Sequence, residues 1–422
     1  MYSFIGDNPT RMYYDAVEKL VREGDEVSPR GKLVKELRPT LVEFLNPYNR
    51  VTFLGSRRIN PFFQLAESLW ILSGRADVEW LTKFNANMAS FSDDGVYFNA
   101  PYGERIRSWN KNAAHNVIIN PIDQLVDAYI KLLNDKDTRQ VVVLISNPMF
   151  DNSKYTIGER GKDIACNLLF MFKVRHNKLE MTVVNRSNDA HWGLWGANLC
   201  QFSTIQEVML NWLKNSGEED FEDLEIGTYC QFTDSLHIYL DDYGAKCTSE
   251  IAEYYKKNPV EDVDADFSCV SEPRMHLNQQ QFDEFLSVYW NTVDVYLMDD
   301  DYIVNDCNRQ SLIDLIDDYH KHEVIDDYWT FAIKAMLSYR LVKLGKLQAA
   351  MEVMDTLEEC QWKISMLYFL KTFIHKLGKD ESKTEEFRTV VELYNNSVNK
   401  FASEPFLSEN CKSILVDKYL SL

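Results

Sequence analysis

The chain has 422 residues, 45% hydrophobic and 26% charged, an ordinary globular composition with length for a large core and two domains. Its formal net charge of −20 argues against direct nucleic-acid binding, which relies on Lys and Arg against phosphates, while leaving room for a small anion held by local arginines. Cys166, Cys200, Cys230, Cys247, Cys269, Cys307, Cys360 and Cys411 stand singly, so no zinc site or redox dithiol is signalled; with no secretory leader and no bilayer-length apolar run, a cytoplasmic protein without a membrane partner is expected.

Residues 8–23 carry an apolar stripe of Ala16, Val17, Leu20 and Val21, which predicts an amphipathic helix ended by Gly24. A turn at 26–31 then leads to a short strand at 35–37. Arg30 in that turn is either a solvated loop residue or an anion ligand. Phe63, Ala66, Leu69 and Trp70 predict a helix over 60–74, stopped by Gly74. Glu67 is the anomaly within it: either it faces solvent beside Gln64 and Ser68, or it is a buried acid with a raised pKa. A turn-rich loop at 91–95 precedes a helix that starts near Tyr102-Gly103, and another amphipathic helix is expected over 122–133. Asp137-Thr138-Arg139-Gln140 leads into a β-branched run at 141–146, read as a buried strand.

The central stretch, 163–203, holds two β-rich runs joined by the polar turn Arg175-His176-Asn177-Lys178, a hairpin signal. Cys166 begins its first strand. The second strand delivers Asn185-Arg186-Ser187-Asn188-Asp189, and Gly193-Leu194-Trp195-Gly196-Ala197-Asn198 opens an apolar helix. Free cysteine is commonly a small core residue, and Cys166 taken alone reads that way. Next to Arg186 it also reads as an activated nucleophile, since a guanidinium favours the thiolate. A short strand at 234–239 turns His237 and Tyr239 the same way. Beyond about 270 the stripes are helical, with a break at Leu344-Gly345-Lys346, and the domain boundary is placed at 265–280.

These motifs resemble the thymidylate synthase superfamily, which includes the pyrimidine-nucleotide hydroxymethylases, many of them phage-encoded. The resemblance covers residues 27–239. It implies an α+β fold, a mixed sheet with packed helices over residues 1–270; the resemblance fades after that, and the helical stripes give an all-α domain of unreadable role at 271–422. The resemblance implies that Arg30, Arg186 and Ser187 hold a substrate phosphate, with Arg139 reaching the phosphate of the other subunit in a homodimer. It also implies that His237 and Tyr239 hold the sugar, Asn198 reads the base and Asp189 meets the pterin of 5,10-methylenetetrahydrofolate. Cys166 would attack carbon 6 of the pyrimidine, Glu67 would manage water and protons, and Tyr102 would assist loss of the carbon 5 proton.

The sequence departs from the family's synthases in several places. Gln140 stands where they have a second arginine, Ala165-Cys166-Asn167 replaces Pro-Cys-His, and Met171 replaces a glutamine. There is no tryptophan in 85–94, one extra residue lies before Asn198, and the C-terminal 416–422 segment follows a helical domain instead of closing the site. An amide at 198 can donate to O4 and accept from N3–H of uracil. Cytosine reverses that pattern, leaving unpaired groups at about 1–3 kcal/mol each. The missing tryptophan and tail argue for water rather than hydride as the final acceptor. The expectation is hydroxymethylation of the pyrimidine deoxynucleotide monophosphate dUMP. Thymidylate synthesis comes second, dCMP hydroxymethylation third, and a non-catalytic nucleotide-binding module after these. A cysteine hydrolase pairing Cys166 with His191 or His237 is a further alternative. No metal is called for.

Overall fold

The computed structural model describes residues 1–52, 59–151, 161–240 and 272–404, with isolated positions 249, 412, 416 and 420–422. Cys247, Cys269, Cys411, much of the predicted boundary at 265–280 and part of the 416–422 tail lie outside the described residues. The chain separates into two compact units: residues 1–57 with 67–261, and residues 58–66 with 262–422.

The first unit contains β1 (Tyr2–Gly6), α1 (Pro9–Glu23), β2 (Asp25–Val27), β3 (Val34–Leu37) and β4 (Thr40–Phe44). After them come α2 (Pro61–Leu72, whose first residues group with the second unit), α3 (Val78–Thr82), α4 (Tyr102–Arg107), β5 (Trp109–Asn112) and β6 (Val117–Ile122). Next are α5 (Gln124–Asn134), β7 (Val142–Leu144), α6 (Pro148–Asp151), β8 (Asn167–Arg175), β9 (Lys178–Asn185) and β10 (Asn188–Asp189). A π-helix, Ala190–Asn198, runs directly into α7 (Leu199–Lys214), and β11 (Glu225–Thr233) and β12 (Leu236–Tyr239) follow.

Two sheets organise the unit. The larger has strand order β1-β4-β11-β9-β8-β7, and the smaller β10-β12-β3-β2. The β8–β9 hairpin closes through His176 and Asn177, both at positive φ (51° and 58°), the backbone that a two-residue turn between twisted strands requires. One face of the large sheet packs on α7, whose residues from Leu199 to Leu213 are all buried, with Phe202 edge-on to Phe170 at 5.7 Å. Within that core Gln206 donates to the carbonyls of Leu179 (2.8 Å) and Gly227 (3.3 Å), beside the register shift in the β9–β11 ladder. Arg50 pairs there with Glu207 and donates to Thr204 at 3.1 Å, so a buried charge has its partners.

The predicted helices at 8–23 and 60–74, and the hairpin, are present within a residue or two. The helix expected from Tyr102 is only six residues long, because Trp109 begins β5 of a separate β5–β6 hairpin. That hairpin, β1, β4 and β11 were not read from the sequence. The second unit is helical: Gln279–Val288, Asp306–Lys321, Asp327–Lys343, Leu347–Asp355, Gln361–Leu377 and Thr384–Ser403 are its longer elements. Gly345 breaks it at φ 73°, at the expected position. In the same unit Phe62 stacks on Tyr339 with centroids 5.0 Å apart.

Candidate active site

Cys166 and Arg186 are set opposite each other by the hairpin register. Asn167 pairs with Asn185, and the Arg186 backbone N–H donates to the Cys166 carbonyl at 3.0 Å. The Arg186 guanidinium donates to the carbonyls of Ala165 (2.8 Å) and Ile164 (2.9 Å), and its Nη2 lies 3.5 Å from Cys166 Sγ. The thiol is free and half-buried. The expectation of a lowered thiol pKa is not met. Burial pushes it up, and the nearby Arg186 and Arg30 charges only partly offset this, opposed in turn by Asp163 and Asp189.

The small sheet brings the rest of the polar cluster to the same place. Asp189 is paired with His237, and His237 with Glu36. The His237 and Tyr239 rings meet edge-to-face at 5.3 Å, so the two side chains do share a face. Arg30 sits in the turn before β3 at φ 56°, an uncommon backbone for a side-chain-bearing residue, and hydrogen-bonds Tyr239. Lys32 lies 5.4 Å over the Tyr239 ring and adds a cation that the sequence reading missed. Asp189 Oδ1 accepts the backbone N–H of His191 at 2.7 Å, capping the π-helix. Ser187 is half-buried beside Arg186. Arg139 is exposed on the loop before β7, and among the described residues no hydrogen bond links it to this cluster.

A cavity of about 240 Å³ adjoins the cluster, lined by Glu67, Trp70, Met88, Phe91, Phe98, Tyr102, Asp163, Asn198 and Gln201 among others. Cys166 is not part of its wall. The link between cluster and cavity is Asn167. Its side-chain N–H₂ donates to the Tyr102 hydroxyl (3.0 Å) and faces Asn198 Oδ1 (3.4 Å), while its oxygen accepts from Asn198 (3.3 Å) and from Asn185. Asn198 is therefore held in the cavity. The extra residue inferred before it is not in a loop: the segment is wound as a π-helix, whose wider turns hold more residues without redirecting the chain.

Glu67 is half-buried on the cavity wall with a desolvated carboxyl, which agrees with the raised-pKa reading rather than the solvent-facing one. Desolvation pushes its carboxyl up to about 7, against a 2.6 Å hydrogen bond donated by Gln201. Burial raises Tyr102 well above the usual phenol range. Asp163 and Gln201 line the cavity and had no role in the sequence reading, where Asn167 figured only as a departure beside the thiol. Gln201 had one signal, its position three residues after Asn198 on the same helical face. Among the described residues no cluster of three His, Cys, Asp or Glu side chains is arranged to hold a metal.

The arrangement of a cysteine and arginine on paired strands, an amide and a buried glutamate around a cavity, and a cationic rim on a second sheet defines its class. Residues 11–295 match the family described as thymidylate synthase, a span wider at both ends than the recognised motifs, and the chain belongs to that family. Among relatives, it is 47% identical over 398 residues to the deoxyuridylate hydroxymethyltransferase of Bacillus phage SP01, covering 92% of this chain and 99% of that one. That match takes in most of the helical residues after 271. The deoxyuridylate hydroxymethyltransferase of Pseudomonas phage M6 is 34% identical over 232 residues, 55% of this chain and 58% of that one. A putative thymidylate synthase of Methanocaldococcus jannaschii is 27% identical over 250 residues, 57% and 94% of the respective chains.

Proposed function

We propose that this protein is a cytoplasmic deoxyuridylate hydroxymethyltransferase, with residues 1–270 carrying the chemistry. It moves the one-carbon unit of methylenetetrahydrofolate to carbon 5 of dUMP, with water as the final acceptor. The observation that carries the reading is Asn167. This one side chain follows the nucleophile in sequence and fixes both the Tyr102 hydroxyl and the Asn198 amide. The folate supplies an electrophilic methylene when bound, and the aromatic wall of Trp70, Phe91 and Phe98 suits a planar pterin.

Cys166 adds to carbon 6, turning carbon 5 into an enolate-type nucleophile. Arg30, Lys32, Arg186 and Ser187 form the cationic and hydroxyl cradle for the phosphate, and His237 and Tyr239 meet the sugar. Asn198 presents an amide N–H to O4 and its oxygen to N3–H, which selects uracil. Glu67, its carboxyl pushed up to about 7 and so able to hold or give a proton near neutrality, serves the carbonyl at carbon 4, and Tyr102 assists departure of the carbon 5 proton. Asp189 supports the pterin and, through its cap, the helix that carries Asn198. Met88 and Phe91, smaller than the tryptophan of the synthases, line the folate side, which favours water over hydride.

The enzyme acts as a homodimer through the outer face of the large sheet. Leu144, Leu169, Val184, Phe232 and Leu41 form one continuous cross-strand row on that face, and Val142 and Leu144 are 39% and 40% exposed. On this reading Arg139, just before β7, serves the neighbouring subunit.

Mass spectrometry of products from dUMP or dCMP with methylenetetrahydrofolate tests the assignment. 5-Hydroxymethyl-dUMP is expected, and Cys166→Ala should lower its formation on the order of 10⁴-fold or more. A methylated product with dihydrofolate, or turnover of dCMP alone, would replace this reading.

A further inference from the structure

Hydroxymethylation needs a group to take a proton from water at the exocyclic methylene. Tyr102, held protonated by burial, already accepts two N–H groups from Asn167, and Glu67 is tied to Gln201 across the cavity. Asp163 stands differently. It lies three residues before Cys166 and lines the cavity beside Tyr102. Its Oδ2 accepts the Ala100 N–H at 2.7 Å, while among the described residues its Oδ1 makes no hydrogen bond. The loop is braced from behind: Asn99 donates to the Asp163 carbonyl at 3.2 Å, and Arg105 holds the Asn99 carbonyl at 2.9 Å and Asp151 through two bonds of 2.8 Å. A carboxylate on the cavity wall, with one oxygen anchored and the other making no hydrogen bond among the described residues, is built for proton transfer.

On the hydroxymethyltransferase reading, we infer that Asp163 is the base that deprotonates the water attacking the exocyclic methylene. The water oxygen bonds to the methylene carbon and one water proton passes to Asp163 Oδ1. The methylene π electrons move to carbon 4 as an enolate. The enolate then re-forms its carbonyl and expels the Cys166 thiolate from carbon 6, giving the 5-hydroxymethyl nucleotide without any redox change. The charges around Asp163 suit this role. Burial pushes its carboxyl up to about 6, the Ala100 N–H and Arg105 draw it down, and Asp151 and Asp93 push it up. Tyr102 and Cys166 also face it. It is thus ionised near neutrality yet more basic than an ordinary aspartate.

The test follows single turnovers of the full chain with dUMP tritiated at carbon 5 and methylenetetrahydrofolate. Tritium release reports loss of the carbon 5 proton, before water adds. Asp163→Asn keeps an acceptor for Ala100. It is expected to retain tritium release within about threefold while product falls about 10²-fold or more, with Asp163→Glu recovering part of the loss. Added 2-mercaptoethanol, whose thiolate needs no base, should trap the methylene intermediate in the Asn variant as a thioether. In the wild type, the ratio of product to released tritium should fall below about pH 6. Equal loss of release and product, an unchanged product rate, or a pH-independent ratio overturns the assignment. A wild-type enzyme that gives no hydroxymethyl product instead overturns the underlying reading, and is seen before any variant is made.

Discussion

Glu67 enters the cavity from the middle of α2, and its stability cost is as informative as its role. Its carboxyl titrates near 4.5 when unfolded and at about 7 when folded, so the folded state holds the proton more tightly. Stability from this group is fullest below pH 4.5, falls as pH rises toward 7, and stays low above it. Glu67→Gln keeps a partner for Gln201 and removes that loss. The variant should be more stable on the order of 1–3 kcal/mol at pH 8, with a smaller gain at pH 5, as read from urea unfolding at both values. It should also lose turnover, a trade between stability and activity expected of a buried acid retained for chemistry. A gain equal at both pH values would show that the carboxyl is not perturbed.

At the scale of the element, the approach of α4 to α2 sets where Tyr102 stands. Gly103 permits it: a Cβ there would lie 2.6 Å from the Ile71 carbonyl oxygen and 2.9 Å from the Ile71 Cα, both backbone atoms that cannot swing aside. Gly103→Ala must therefore push the helices apart. A cost of about 1–3 kcal/mol is expected from thermal unfolding, together with a fall in tritium release as the Tyr102 hydroxyl leaves Asn167. The π-helix makes the complementary point. An extra residue before Asn198 looked like a lengthened loop, yet wider turns absorb it and keep the amide in the cavity.

For the whole molecule, the outer face of the large sheet is where the proposed assembly and the proposed activity meet. Leu144 sits on edge strand β7, in the apolar row proposed to join two subunits. Leu144→Asp should convert the dimer to monomer in sedimentation equilibrium, since an unpaired carboxylate in an apolar interface is costly. If Arg139 serves the neighbouring phosphate, the same variant should weaken dUMP binding at every protein concentration. A wild-type monomer in that experiment would remove both ideas. The net charge of −20 works against indiscriminate association of such a surface, and on the proposed reading the local cations Arg30, Lys32 and Arg186 receive the substrate's anion.

Local pattern determined much of this. The stripes of α1 and α2, the β8–β9 hairpin, the His237–Tyr239 pairing on one face and the helical run beyond 271 all rest on interactions between residues near in sequence, and all were legible there. Cys166, Arg186 and Asn198 stood out because one continuous stretch carries them in an order that resembles the family's. What only the tertiary structure decided depends on neighbours far away in the chain. Glu67 could be read as exposed or buried until Gln201, 134 residues on, was seen to donate to it. The thiol pKa was expected to fall beside Arg186, yet burial by the surrounding elements outweighs that one charge. Asp163 gave no signal because a carboxylate in a loop is ordinary until the Ala100 N–H fixes one oxygen and the fold sets the side chain on the cavity wall. Sequence periodicity reports which way a side chain points; desolvation and hydrogen-bond partners are set by what the fold brings opposite it.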